Sequence, residues 1–354
     1  MKSTASFLCR LAAANFKRPG FPIRLGYAVT YRCNLKCDIC YIWKKQEQGG
    51  ELSVEDNDSF FRKADKFLWI SITGGEPFLR EDLPELVGRI LRHSTVLNSL
   101  HFATNGTLGS AIKNLIRIIR MKNNRIKLFF SISIDGPPAL HDAIRDRQGV
   151  WDEAVRVFKE LKLERNVYPR INFTLCQNNL NKFEDTWLSL RSAYPALRFD
   201  DITVNIFHRS EFYYSNVNVN KPDEDGLCNA IRRILQMDNE KITLNNFLRR
   251  RYLGLYLQFR EGKTAKFSCS ALSTGCFLDP SGNLYPCVVY NRKLLNVKDM
   301  VDTFSHAWQS EIVSRARQSC RSGLCGWCWL PCDAYLTMGS HLERIGSYGT
   351  GKHT

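Results

Sequence analysis

Val29-Thr-Tyr-Arg-Cys33-Asn-Leu-Lys-Cys37-Asp-Ile-Cys40-Tyr-Ile-Trp43 places three cysteines directly after a short apolar run. The C-x3-C-x2-C spacing lets three thiols converge on one object without ordering a long connection. A cluster of four irons normally takes four cysteine ligands, and no fourth cysteine lies in this neighbourhood. The stretch therefore predicts a [4Fe-4S] cluster with one iron open to a substrate or cofactor. A zinc loop, or three free cysteines near a strand end, is the competing reading from spacing alone.

Outward from that loop, short β-rich runs alternate with longer helical patterns, the arrangement that gives an α/β fold with a parallel sheet. Strands are expected at Leu25–Thr30, Trp69–Thr73, Leu100–Thr104, Lys127–Ile134, Arg170–Cys176 and Asp201–Phe207. Helices are expected at Val54–Lys66, Leu83–His93, Gly109–Met121, Trp151–Glu164 and Lys182–Ala193. With right-handed crossovers these units suit an open, partial (β/α)6 barrel, whose chemistry collects after the C-terminal ends of the strands. Gly74-Gly75-Glu76-Pro77, Asn105-Gly106-Thr107 and Asp135-Gly136-Pro137 all fall there. Gly74 and Gly75 let backbone approach a ligand without a Cβ in the way, and Pro77 stiffens the exit.

The cysteine loop together with Gly74-Gly75-Glu76-Pro77 resembles the signature of the radical S-adenosylmethionine (radical SAM) superfamily. That resemblance implies that the open iron chelates the amino and carboxylate groups of SAM. An electron from the cluster then cleaves the sulfonium to a 5′-deoxyadenosyl radical, which takes a hydrogen atom from substrate. Ser131-Ile-Ser133-Ile-Asp135-Gly136, continuing to His141-Asp142 and Arg145, is similar to the SxDGxxxxHDxxR segment of radical SAM enzymes with a C-terminal SPASM or Twitch extension. The resemblance puts Gly74, Gly75, Glu76, Pro77, Asn105, Ser133, Asp135 and Arg145 around SAM, with Ser133 and Arg145 at its methionyl carboxylate, which a guanidinium can grip bidentately. Without it, Asp135-Gly136-Pro137 reads as a turn and His141 and Asp142 as helix caps. Ile39 departs from the family, which often has an aromatic residue before the third cysteine.

Thirteen cysteines in a chain without an evident secretory signal argue against a disulfide framework. Seven lie between Cys269 and Cys332, around a Pro280-Ser-Gly-Asn283 hairpin cue. This region resembles the SPASM/Twitch extension, including its G-x4-C element at Gly282 and Cys287. The resemblance implies one auxiliary [4Fe-4S] cluster on Cys269, Cys287, Cys325 and Cys328, with Cys332 as the substitute ligand and Cys276 and Cys320 left open. A zinc ribbon from the same thiols is the alternative. The chain then divides into an N-terminal extension (1–24), the radical SAM partial barrel (25–210), a helical bridge (211–264) and the small Cys-rich SPASM/Twitch-like domain (265–354).

Lys and Arg number 50 against 35 Asp and Glu, a formal excess of 15 that favours an anionic substrate or partner. No nucleic-acid motif of known spacing accompanies it. No run approaches the roughly 18 apolar residues of a membrane span. The setting expected is therefore a reducing, low-oxygen cytoplasm, and residues 1–24 read as a docking helix or frayed terminus ahead of a membrane-surface contact. A flavodoxin- or ferredoxin-type protein is the expected one-electron reductant. The single auxiliary cluster favours oxidation of a small molecule, sugar or cell-envelope precursor. The alternative is a peptide-modifying enzyme of the ribosomal-peptide or sulfatase-maturing kind. From a different class comes a non-catalytic iron–sulfur or zinc module binding RNA.

Overall fold

A computed structural model describes residues 20–45, 50–240, 243–263, 269–323 and 329–340. Strands β1 (Arg24–Ala28), β2 (Trp69–Thr73), β3 (Ser99–Thr104), β4 (Lys127–Ser133), β5 (Val167–Leu175) and β6 (Ile202–Ile206) lie side by side in chain order, each parallel to the next. Helices α1 (Val54–Lys63), α2 (Leu83–His93) and α3 (Gly109–Lys122) cover the first crossovers, and α4 (Pro138–Arg145), α5 (Val150–Lys162) and α6 (Phe183–Ala193) the later ones. This is the partial barrel expected from the βα repeat.

Strict alternation along the strands separates two faces. Ile70, Ile72, Leu100, Phe102, Leu128, Phe130, Ile171 and Phe173 are buried in the main core with Leu86, Ile90, Ile112 and Val157 from the helices. The intervening positions, Ser71, His101, Ser131, Asn172 and Thr203, occupy the opposite, concave face. No helix among the described residues is long and apolar enough to cross a membrane.

Beyond the barrel, α7 (Glu224–Met237) and α8 (Leu244–Arg260) lie beside β6, where Arg249 donates to the Phe199 and Ile202 carbonyls at 3.0 and 3.1 Å. Strands β7 (Gly275–Leu278), β8 (Asn283–Tyr285) and β9 (Leu295–Asn296) then extend the sheet on the other side, with β7 parallel to β1 and β8 and β9 antiparallel. The Pro280-Ser-Gly-Asn283 cue forms the β7–β8 turn, with Gly282 at φ +86°. Helices α9 (Phe304–Gln309), α10 (Glu311–Ser322) and α11 (Pro331–Ser340) follow.

The sequence reading does not include α4, which begins at a Pro-Pro pair and is only eight residues long. Its Asp142 reaches forward to the start of α5, accepting from the Gly149 N–H at 2.6 Å and the Trp151 N–H at 2.9 Å. It thus satisfies donors that a helix start leaves orphaned. Asp142→Ala is expected to cost about 1–2 kcal/mol, as for loss of an N-cap. Urea unfolding should show a lower midpoint at unchanged slope, and an unchanged midpoint would refute the cap.

Candidate active site

The Cys33, Cys37 and Cys40 side chains pack together against Leu35, Ile39 and Val150. Cys33 and Cys40 also border a second cluster of Ala28, Tyr31, Ile42, Phe212 and Tyr213. Burial pushes the Cys33 and Cys40 thiols up to about 12, against backbone N–H groups of Leu35 and Ile42 that favour their thiolates. Cys37 is also raised by burial, and the Arg145 guanidinium, 3.7 Å from its sulfur, acts in the opposite sense. Among the described residues no three His, Cys, Asp or Glu side chains close on a single ion position. Three thiols gathered in one loop, each with an N–H donor that favours its thiolate, fit a polynuclear cluster with one iron per thiolate.

The exit of β2 is welded to this loop. The Gly75 N–H donates to the Thr30 carbonyl at 2.9 Å and the Glu76 N–H to the Arg32 carbonyl at 2.8 Å. A Cβ on Gly75 would sit 2.2 Å from the Arg32 oxygen, and one on Gly74 (φ +156°) 2.4 Å from the Thr30 oxygen. The backbone these two glycines admit is that of the chain's own cysteine loop.

Glu76 is fully buried and turned toward the end of β3. It accepts from the Asn105 N–H at 2.8 Å, the Phe78 N–H at 3.2 Å and the Thr104 hydroxyl at 3.0 Å. Burial outweighs these bonds and raises its carboxyl to about 7. Pro77 opens a short 3-10 turn directly after it. Asn105 in turn donates to Asn34 of the cysteine loop at 2.9 Å.

Asp135 is fully buried after β4 and pairs with Arg145, while its second oxygen accepts from the Thr174 N–H at 2.8 Å. His141 Nδ1 accepts from the Asp135 N–H at 3.1 Å, and Asn179 donates to the Asp135 carbonyl at 2.9 Å. Arg145 is thereby held between Asp135 and Cys37. Ser133 ends β4 opposite Asn172.

Several residues that hold the site carry no recognisable sequence motif. After β6, the Tyr213 hydroxyl donates to the Gly74 carbonyl at 3.1 Å, and Asn216 donates to the Ile39 carbonyl at 3.0 Å. The available signal is the Phe212-Tyr213-Tyr214 run at the height of the other strand exits. Ile39 packs beside Ile144, Cys176 and Phe207, an apolar cluster. Lys44 lies 4.2 Å from the Tyr41 ring centre and 5.2 Å from that of Trp43, so both aromatics hold cation–π contacts.

In the second cysteine group, Cys269 Sγ accepts from the Ala271 N–H and Cys287 Sγ from the Tyr290 N–H, each at 3.4 Å. Cys276 is buried in β7 and Cys320 in α10. Cys325 and Cys328 lie outside the described residues, as does the side chain of Cys332 on α11.

Gly75→Ala should force the two loops apart and reduce iron retained after reconstitution several-fold, read by iron analysis and visible absorption; wild-type iron content would refute the weld. Glu76 supplies a pH test. Its folded value lies above the ordinary carboxyl value, so its contribution to stability is present below about 4.5 and is lost as pH rises through about 7. Between those limits wild type should lose ground to Glu76→Gln by up to about 1.4 kcal/mol per pH unit in denaturant titrations. Parallel pH profiles for the two proteins would remove the assignment.

Comparison with known proteins gives the same picture over most of the chain. Residues 27–186 match the Radical SAM superfamily. The mycofactocin maturase MftC of Mycobacterium tuberculosis is 26% identical over 319 residues, covering 87% of this chain and 75% of MftC. AlbA of Bacillus subtilis, named for biosynthesis of the antilisterial bacteriocin subtilosin, is 23% identical over 329 residues, covering 87% and 67%. Among solved structures, anSMEcpe with bound AdoMet superposes with a TM-score of 0.59 at 17% identity over 92% of this chain and 98% of that one. SuiB of Streptococcus suis, bound to precursor peptide SuiA, gives 0.61 at 15% identity over 92% and 71%. The order of the strands, the three-thiol loop at the first strand exit and these matches agree: residues 27–186 carry a radical SAM domain.

Proposed function

We propose that this protein is a radical SAM enzyme that modifies a peptide, abstracting a hydrogen atom from a residue presented at the barrel mouth. The observation that carries the reading is the extent of the likeness to MftC and AlbA, which spans 87% of the chain. One is named a maturase and the other a bacteriocin biosynthesis protein. This favours the peptide alternative over the small-molecule, sugar or cell-envelope substrate suggested by the auxiliary cysteine count.

The superfamily's [4Fe-4S] cluster and SAM together supply a 5′-deoxyadenosyl radical when reduced by one electron. The chain's own residues do the positioning. Cys33, Cys37 and Cys40 hold the cluster, and the tied loops of β2 and β3 keep those thiols in place. Gly74 to Pro77, Asn105, Ser133, Asp135 and Arg145 border the SAM pocket in this reading, with the Asp135–Arg145 pair on the Cys37 side. Cys269, Cys287, Cys325 and Cys328, or Cys332 in place of one of them, would hold one auxiliary cluster, which would supply a one-electron acceptor and so favour a net oxidation. A flavodoxin- or ferredoxin-type donor supplies the first electron. The segments 25–210, 211–264 and 265–354 serve as barrel, bridge and auxiliary region.

Anaerobic reconstitution with iron and sulfide, followed by SAM and dithionite, should yield 5′-deoxyadenosine from wild type and none from Cys37→Ala. About eight irons per chain are expected for two four-iron clusters. A short precursor peptide encoded beside the gene should raise 5′-deoxyadenosine formation and change in mass by mass spectrometry. Turnover of a sugar or nucleotide instead of any peptide would overturn the peptide assignment.

A further inference from the structure

The loop that carries the three thiols is itself basic. Residues 30–45 contain Arg32, Lys36, Lys44 and Lys45 against a single carboxylate, Asp38. Lys45 is turned inward, where it donates to the Phe212 carbonyl and lies 4.6 Å from the Tyr31 ring centre. Arg32 is exposed and shares Glu51, at 3.3 Å, with the Thr30 hydroxyl. Asp38 accepts from Asn178 at 2.7 Å. Lys36 and Lys44 are also exposed, and neither is answered in this way. Lys36 Nζ lies 5.6 Å from the Trp43 ring centre, and Lys44 Nζ lies 5.2 Å from the same ring and 4.2 Å from that of Tyr41. No carboxylate of the described residues stands within 4.0 Å of either ammonium, the exposed Asp146 at the end of α4 included. A ring face holds an ammonium in place without cancelling its charge. The two charges are therefore oriented but not neutralised.

Their position gives them a use. Lys36 is bonded to Cys37, and Trp43 follows Cys40 by three residues, so these exposed groups belong to the loop that holds the cluster. In the reading above, SAM and substrate occupy the barrel mouth, and Arg145 on that side is already paired with Asp135. A protein that delivers an electron has to reach the cluster by another face. Tunnelling falls steeply with distance, so such a donor must seat itself against the loop. Opposite charge speeds that encounter and sets its orientation. An aromatic ring flanked by cations supplies the anchor that transient protein interfaces favour.

We infer that the exposed face formed by Lys36, Trp43 and Lys44 is the docking surface for an acidic one-electron carrier protein. The inference rests on the function proposed above and names where its reducing electron enters. In that step the carrier loses one electron and the cluster gains it, with no bond made or broken.

The test mixes reconstituted holoenzyme with reduced flavodoxin and follows the reduced-cluster signal by rapid-freeze electron paramagnetic resonance. Lys36→Glu/Lys44→Glu should slow reduction by about tenfold or more at low salt, and the wild-type rate should fall toward that of the variant as salt rises. Lys36→Arg/Lys44→Arg, which keeps both charges, should stay near the wild-type rate. Reduction by dithionite, which needs no docking, should be unchanged in every variant. Arg156→Glu/Lys159→Glu makes the same change of charge at exposed positions of α5 and should leave the flavodoxin rate near wild type. Carbodiimide coupling of wild type to oxidised flavodoxin, read by mass spectrometry, should join Lys36 or Lys44 to flavodoxin carboxylates. Equal slowing by both charge reversals, slowing with dithionite as well, or coupling confined to other lysines overturns the inference. Coupling of Lys36 and Lys44 to a precursor peptide in preference to flavodoxin overturns it too. Formation of 5′-deoxyadenosine with dithionite separates the two levels: its absence from wild type removes the enzyme, while the coupling result still decides the surface.

Discussion

Two strand exits cross where there is no space for a methyl group, and the rest of the site is built on that crossing. The Gly75 and Glu76 amides are bonded to the Thr30 and Arg32 carbonyls, which fixes the start of the cysteine loop relative to β2. Glu76 carries the constraint to β3 through Asn105, and Asn105 returns it to the loop through Asn34. Asn179 and Asp135 extend the tie across β4 and β5, and Tyr213 and Asn216 close it from beyond β6. Loops that would each be mobile alone hold one another, so the three thiols are positioned before any cofactor arrives.

That pre-organisation is achieved by burying ionisable groups, which is destabilising unless each is bonded. Asp135 and Arg145 are the clearest case, since the fully buried carboxylate bonds the guanidinium with one oxygen and a backbone N–H with the other. Such a pair adds little to stability compared with apolar packing but tolerates few alternative positions. It keeps a cationic donor beside Cys37, which favours the thiolate over the thiol.

The sequence made the scaffold readable because period-two alternation in Trp69–Thr73, Ser99–Thr104 and Lys127–Ser133 is what a half-covered parallel strand requires. The ends were less clear. Strand β5 starts at Val167 ahead of the expected Arg170, and α4 is hidden by its length and its prolines. Motif spacing located the cysteine loop and the segment after β2 but not what the glycines touch, because Thr30 and Gly74 are far apart in sequence. The bonds of His101 to Ser71 and Ser131 were invisible for a similar reason: the three read as polar interruptions in apolar strands, and only the side-by-side pairing of β2, β3 and β4 brings them within reach.

The attachment of β7 to β1 has a mechanical meaning. Tyr27 and Leu278 are register partners, and Leu278 in turn pairs with Leu284 of β8, three residues before Cys287. Cys33 follows the same strand β1 by a few residues, so Cys33 and Cys287 are connected through a hydrogen-bonded ladder. Separation between them is therefore a property of sheet register, set in steps of one residue along the strands. Removing the C-terminal region would also strip β1 of a neighbour and turn a central strand into a bare edge, a surface prone to pairing with other chains.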